Sequence, residues 1–188
     1  MNIKNLTTFI LFTSMMLSCQ KNEQLYSTLY FIGDSQIANW DTEVSFPNHI
    51  TYNIGKDGIG ILEIEKLSIP NGSTIILEIG TNDLVKICTE EELNNYINEY
   101  IRIIKQIPSK KIFVLEVFPT DNLNRNKTIK LFNEKLCHLL KNNEKIRITH
   151  IYDFLSNNNV IKPELSRDGI HLNDYGYIII TNLVKAEL

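Results

Sequence analysis

Three residues carry functional groups suited to acyl transfer, and they stand far apart in the chain. Ser35 lies in Gly33-Asp34-Ser35, and the other two in Asp168-Gly169-Ile170-His171. A serine hydroxyl is a weak nucleophile until an imidazole takes its proton, and the imidazole works best when a carboxylate fixes its tautomer and stabilises its cation. Asp168 and His171, three residues apart on a tight turn ahead of a helix, can supply that pair and leave one ring nitrogen for Ser35. The tetrahedral intermediate also needs hydrogen-bond donors at its oxyanion. Gly55, in Asn53-Ile54-Gly55-Lys56-Asp57-Gly58, lets backbone N–H groups approach a substrate closely. Asn82, in Gly80-Thr81-Asn82-Asp83, offers an amide with two donors. Taken singly, each block is also an ordinary strand-ending turn. Their conjunction is what points to an esterase.

Elements that position these blocks are legible in the hydrophobic pattern. Short apolar, β-branched runs at residues 28–32, 50–54, 74–79, 111–117 and 147–152 alternate with helical patterns at 59–67, 90–107, 124–141 and 174–186, plus a weak helix after Ser35. Strand and helix in alternation predict one α/β domain with a five-stranded parallel sheet covered on both faces. Leu93, Tyr96, Ile97, Tyr100, Ile101 and Ile104 form one stripe of the long helix and are expected in the core. Ser35, Gly55 and Asn82 then all follow the carboxyl ends of strands, where open parallel sheets bind ligands. Asn173 or Asp174 can cap the last helix, just after His171.

With Phe31-Ile32-Gly33-Asp34-Ser35, Asn53-Ile54-Gly55, Ile79-Gly80-Thr81-Asn82-Asp83 and Asp168-Gly169-Ile170-His171 in this order, the chain resembles the SGNH, or GDSL-type, serine hydrolase family. The resemblance implies a flavodoxin-like three-layer α/β/α sandwich spanning residues 27–188, with Ser35 as nucleophile, His171 as base and Asp168 orienting it. It also implies an oxyanion hole made by the backbone N–H groups of Ser35 and Gly55 and the Asn82 side chain. Gly58, three residues after Gly55, suits the family's second block. Gln36 stands where the family's leucine would follow the serine.

The other features bound the function. The 188 residues are 43% hydrophobic and 22% charged, enough for one domain with a sizeable core, and the net charge of −3 with scattered basic residues gives no footprint for nucleic acid. Residues 1–18, with Lys4 ahead of an apolar stretch too short to span a bilayer, read as a cleaved export signal. Cys19 directly after it resembles a lipoprotein acceptor, although Met16 replaces the usual leucine; residues 19–26 would be a lipidated tether holding the protein at a bacterial cell envelope, periplasmic or surface-exposed. A simple secretory signal is the alternative. Cys88 and Cys137 are expected to be separate thiols on helices, and no cysteine or histidine cluster has metal-ligand spacing. Neither metal nor organic cofactor is expected. His49, His138 and His150 read as surface or packing residues, Trp40 as packing, and Glu78, an acid inside the third strand, has no assigned role.

The substrate expected is a short acyl ester, most plausibly an O-acetyl group on an extracellular glycan, because the compact chain shows no lid insertion. A lysophospholipase or acyl-thioesterase, and a non-catalytic lipid-anchored binding protein with the same fold, are the alternatives.

Overall fold

The computed structural model describes residues 27–188. The expected export signal of residues 1–18, and Cys19 with the expected tether of residues 19–26, lie outside the described residues. Strands β1 (Thr28–Gly33), β2 (Ile50–Asn53), β3 (Ser73–Glu78), β4 (Ser109–Leu115) and β5 (Ile146–Thr149) form one parallel sheet in the order β2-β1-β3-β4-β5. This is the doubly wound order, with its switch point between β1 and β3. Short helices α1 (Ser35–Ala38) and α2 (Thr42–Ser45) follow β1, and a 3-10 turn (Ile61–Lys66) follows β2. The helix α3 (Thr81–Leu84) and the long α4 (Glu90–Gln106) join β3 to β4; α5 (Leu123–Leu140) joins β4 to β5. After β5 come α6 (Tyr152–Leu155), a hairpin of β6 (Ser156–Asn157) and β7 (Val160–Ile161), and finally α7 (Asp174–Lys185).

Alternation along the strands divides the core in two. Ile32, Ile75, Leu77, Ile112 and Val114 face α4, α5 and the 3-10 turn, while Phe31, Ile76, Phe113 and Leu115 face α7 and the aromatic group Trp40, Phe46 and Tyr177. The three-layer sandwich follows. Trp40 is part of that packing, tilted against Phe46 and stacked on Tyr177. The long α4 starts at a capping box, in which Thr89 Oγ1 accepts from the Glu92 N–H and the Glu92 carboxylate accepts from the Thr89 N–H. Its buried stripe contains Ile103 in addition to Leu93, Ile97, Tyr100 and Ile104, while Ile101 is only partly covered.

Several boundaries differ from those expected. β4 stops at Leu115 because the N–H and C=O of Val117 are both taken by the Asn133 side chain of α5, each at 3.0 Å. β5 stops at Thr149 because the Glu116 carboxylate accepts from the N–H groups of Ile151 and Tyr152, both at 2.9 Å, and starts α6. The helix expected at residues 59–67 is a 3-10 turn whose first N–H, from Ile61, donates to Asp83. Cys88 lies in the loop ahead of α4 rather than in a helix, and Cys88 and Cys137 are free.

Candidate active site

β1 ends in Gly33, whose backbone passes so close to β3 that any Cβ would overlap the Glu78 carbonyl oxygen. Only glycine can stand there, and the chain turns at once into α1. Asp34 caps this helix, accepting from the Gln36 N–H at 3.0 Å, so Ser35 is its first residue. Its N–H has no partner within the helix.

At the other end of the chain, Asp168 and His171 form a unit. Asp168 Oδ2 lies 2.7 Å from His171 Nδ1, and Asp168 Oδ1 accepts from the N–H groups of Ile170 and His171 at 3.0 and 2.8 Å. These bonds, above all those to His171, hold the Asp168 carboxyl well below the usual carboxylate range. Gly169, with φ of 87°, makes the turn possible, and its neighbourhood to Asp121 leaves no room for a side chain. The unit reaches across 136 residues of sequence to Ser35, whose Oγ is 3.0 Å from His171 Nε2. With Nδ1–H donating to Asp168, Nε2 carries the lone pair, and the Ser35 hydroxyl can donate to it.

Asn82 lies on α3, just past the carboxyl end of β3 and across the switch point from Ser35. One of its amide hydrogens donates to the Ile59 carbonyl at 2.9 Å, which fixes the side chain and leaves the second hydrogen for another acceptor. Arg125, from the first turns of α5, donates to the Thr81 carbonyl beside it. Gly55 packs against the backbone of α1 with no room for a Cβ. Its N–H, however, donates to Asn53 Oδ1 at 3.0 Å, in an Asx turn held in place by the Asn53 amide, which donates to the carbonyls of Ile37 and Trp40. So Ser35, His171 and Asp168 come together directly, Asn82 stands with one free donor, and the Gly55 N–H is already engaged.

Sequence reasoning missed what lies beneath Ser35. Glu78 is completely buried at the end of β3, paired in register with Gly33 and thus beside Asp34, itself fully buried. Asp34 Oδ2 and both Glu78 carboxyl oxygens are buried without any hydrogen-bond partner. Nothing donates to these three oxygens to offset their burial, so both carboxyls are held toward their protonated forms. Burial, and then the charge of Asp34, pushes the Glu78 carboxyl well above the carboxylate range, and burial pushes Asp34 up to about 6. The one signal in the sequence was an acid within an otherwise apolar run. Among the described residues, no group of three His, Cys, Asp or Glu side chains could hold a metal ion.

A doubly wound parallel sheet with a Ser–His–Asp relay at the carboxyl ends of its strands defines a class, the α/β serine hydrolases built on an open sheet. Within it, residues 30–184 match the family model of the GDSL-like lipases and acylhydrolases. The chain belongs to that family and is a carboxylic ester hydrolase. No curated protein sequence matches it significantly. Among solved structures, it is similar to a protein of Streptococcus pneumoniae provisionally described as a platelet activating factor, with 21% identity, a TM-score of 0.71 and coverage of 97% of this chain and 98% of that one. A GDSL-like lipase of Bacteroides thetaiotaomicron shares 17% identity with a TM-score of 0.68, covering 95% and 96%. The lipase/acylhydrolase of Enterococcus faecalis shares 16% with a TM-score of 0.66, covering 86% and 94%. At these identities the likeness to the solved structures speaks for the fold alone.

Proposed function

We propose that the protein removes short acyl groups, foremost O-acetyl groups of extracellular carbohydrate, through an acyl-enzyme on Ser35. The observation that carries this reading is the continuous relay from Ser35 Oγ through His171 to Asp168, with spacings of 3.0 and 2.7 Å. In the first half-reaction Ser35 attacks the ester carbonyl while His171 Nε2 takes its proton, and Asp168 stabilises the imidazolium. His171 then gives the proton to the leaving alcohol. In the second half, His171 deprotonates a water that attacks the acyl carbonyl, and Ser35 is released with its proton restored. The Ser35 N–H and the free Asn82 hydrogen are the oxyanion donors, and the Gly55 N–H stays with Asn53 Oδ1.

A short acyl group is supported by the small elements at the site, where α1 and α3 are four residues each and a six-residue 3-10 turn stands between β2 and β3, with no long helix among the described residues laid over Ser35 as a lid. A polar leaving alcohol is supported by the neighbouring Arg125 and Asp121, which offer hydrogen bonds rather than apolar cover. Envelope anchoring through a lipidated Cys19 rests on the order of signal, cysteine and polar tether in residues 1–26. Hydrolysis of p-nitrophenyl esters from acetate to decanoate tests the acyl preference. The acetate should give the highest kcat/KM, and a steady rise toward decanoate would contradict the assignment and favour a lysophospholipase or thioesterase.

A further inference from the structure

Ser35 and the Asp168–His171 unit come from opposite ends of the chain, and what fixes the gap between them is set by the residue that replaces the leucine of the family motif. Most polar groups of the histidine loop are used inside it, and the Gly169 carbonyl accepts from the Asp121 N–H at 2.7 Å. The His171 carbonyl accepts from the Ser166 hydroxyl and the Arg167 N–H, both at 2.9 Å, and the His171 N–H and ring go to Asp168. The bond from Asp121 ties the loop to the segment before α5 and leaves the backbone on either side of His171 to be held from elsewhere.

Those flanks are held from α1. Gln36 is 1% exposed, and its amide Nε2 donates to the Ile170 carbonyl at 2.7 Å while its Oε1 faces the Leu172 N–H at 3.4 Å. One side chain, directly after Ser35, thus grips the backbone on both sides of His171. Gln36 is itself held at both ends: its N–H donates to Asp34, and its carbonyl accepts from the Tyr177 hydroxyl of α7 at 2.8 Å. The amide is the only common side chain of this length with a donor and an acceptor on one planar group, which is what a carbonyl and an N–H two residues apart require. Leucine would fill the space and bond to neither, leaving two buried backbone groups without partners.

We propose that Gln36 is a positioning residue, whose side-chain amide sets the distance between the Ser35 hydroxyl and His171 Nε2 by clamping the backbone at Ile170 and Leu172. It touches no substrate. The inference rests on the reading of Ser35 and His171 as nucleophile and base. It predicts that the geometry of proton transfer, not substrate binding or the Asp168–His171 pair, suffers when the clamp is lost.

The test measures turnover of p-nitrophenyl acetate by Gln36→Leu and Gln36→Asn, normalised to the fraction of molecules that react covalently with a fluorophosphonate. Leucine removes both bonds, and asparagine keeps an amide one methylene too short to span both. In both variants kcat per reactive site should fall at least about tenfold with KM within about twofold, because displacement by a fraction of an ångström is expensive in an aligned relay. The midpoint of the pH profile should stay at its native position, since Asp168 and His171 keep all their mutual bonds. A variant that merely unfolds in part would lower the reactive fraction and leave the rate per reactive site unchanged; that result overturns the proposal, as does native kcat in either variant. A native protein that fails to react with the fluorophosphonate would instead overturn the nucleophile reading, and the clamp with it.

Discussion

Exchange of Glu78 for glutamine removes a titrating group from beneath the nucleophile while keeping an N–H that can donate to Asp34. Glu78 has an ordinary value of 4.5, and burial raises it far above that in the fold. Above pH 4.5 the unfolded chain releases this proton while the folded protein keeps it, so the fold is favoured fully below the unfolded value and loses that advantage as pH rises toward the folded one. One proton retained corresponds to about 1.4 kcal/mol of lost stability per pH unit. Asp34 remains in both proteins, so its own contribution largely cancels in the comparison. Over the pH interval above 4.5 in which folded Glu78 keeps its proton, the native protein should therefore lose about 1.4 kcal/mol per pH unit relative to Glu78→Gln, a divergence of roughly 3–6 °C in Tm per pH unit for a domain of this size. Urea unfolding of both proteins at three pH values in that interval reads the slope directly. Parallel pH dependences, or a variant that loses stability faster than the native protein as pH rises, would refute a Glu78 carboxyl held protonated by its burial.

Asp168→Asn should lower kcat by about a hundredfold or more with little change in KM, since the amide can hold His171 Nδ1 only in a tautomer that blocks Nε2 as a base; steady-state kinetics on p-nitrophenyl acetate check this. The Cys19→Ala chain should remain in the aqueous phase or unprocessed on detergent partitioning of expressing bacteria, while the native chain enters the detergent phase; equal partitioning would contradict lipidation.

Much of this arrangement could be read from the residues alone because each block is local. Gly33-Asp34-Ser35 and Gly80-Thr81-Asn82 follow apolar runs whose alternation fixes both the strand and where it ends, and Asp168-Gly169-Ile170-His171 builds its own turn. What could not be read depends on which distant group meets which. Glu78 stands out as an acid in an apolar run, but its neighbour is unknown until the β1–β3 register sets it beside Asp34. The Gly55 N–H looked free until the Asx turn of Asn53 was seen to occupy it. Strand ends at Leu115 and Thr149 are decided by Asn133 and Glu116, side chains that take backbone partners from the sheet. The β6–β7 hairpin had a local signal that composition obscured: Asn158 and Asn159, with φ of 50° and 60°, form the two-residue turn of left-handed residues that asparagine tolerates. It sits in a chain so rich in asparagine that the pair did not stand out.

Covalent labelling of the processed protein with a fluorophosphonate, alongside Ser35→Ala and His171→Ala, tests the central claim most directly. The reagent reacts with a serine only where a neighbouring base activates it. The account predicts one label per native molecule, on Ser35, and essentially none on either variant. Labelling that persists in Ser35→Ala, or a native protein that stays unlabelled, would contradict it.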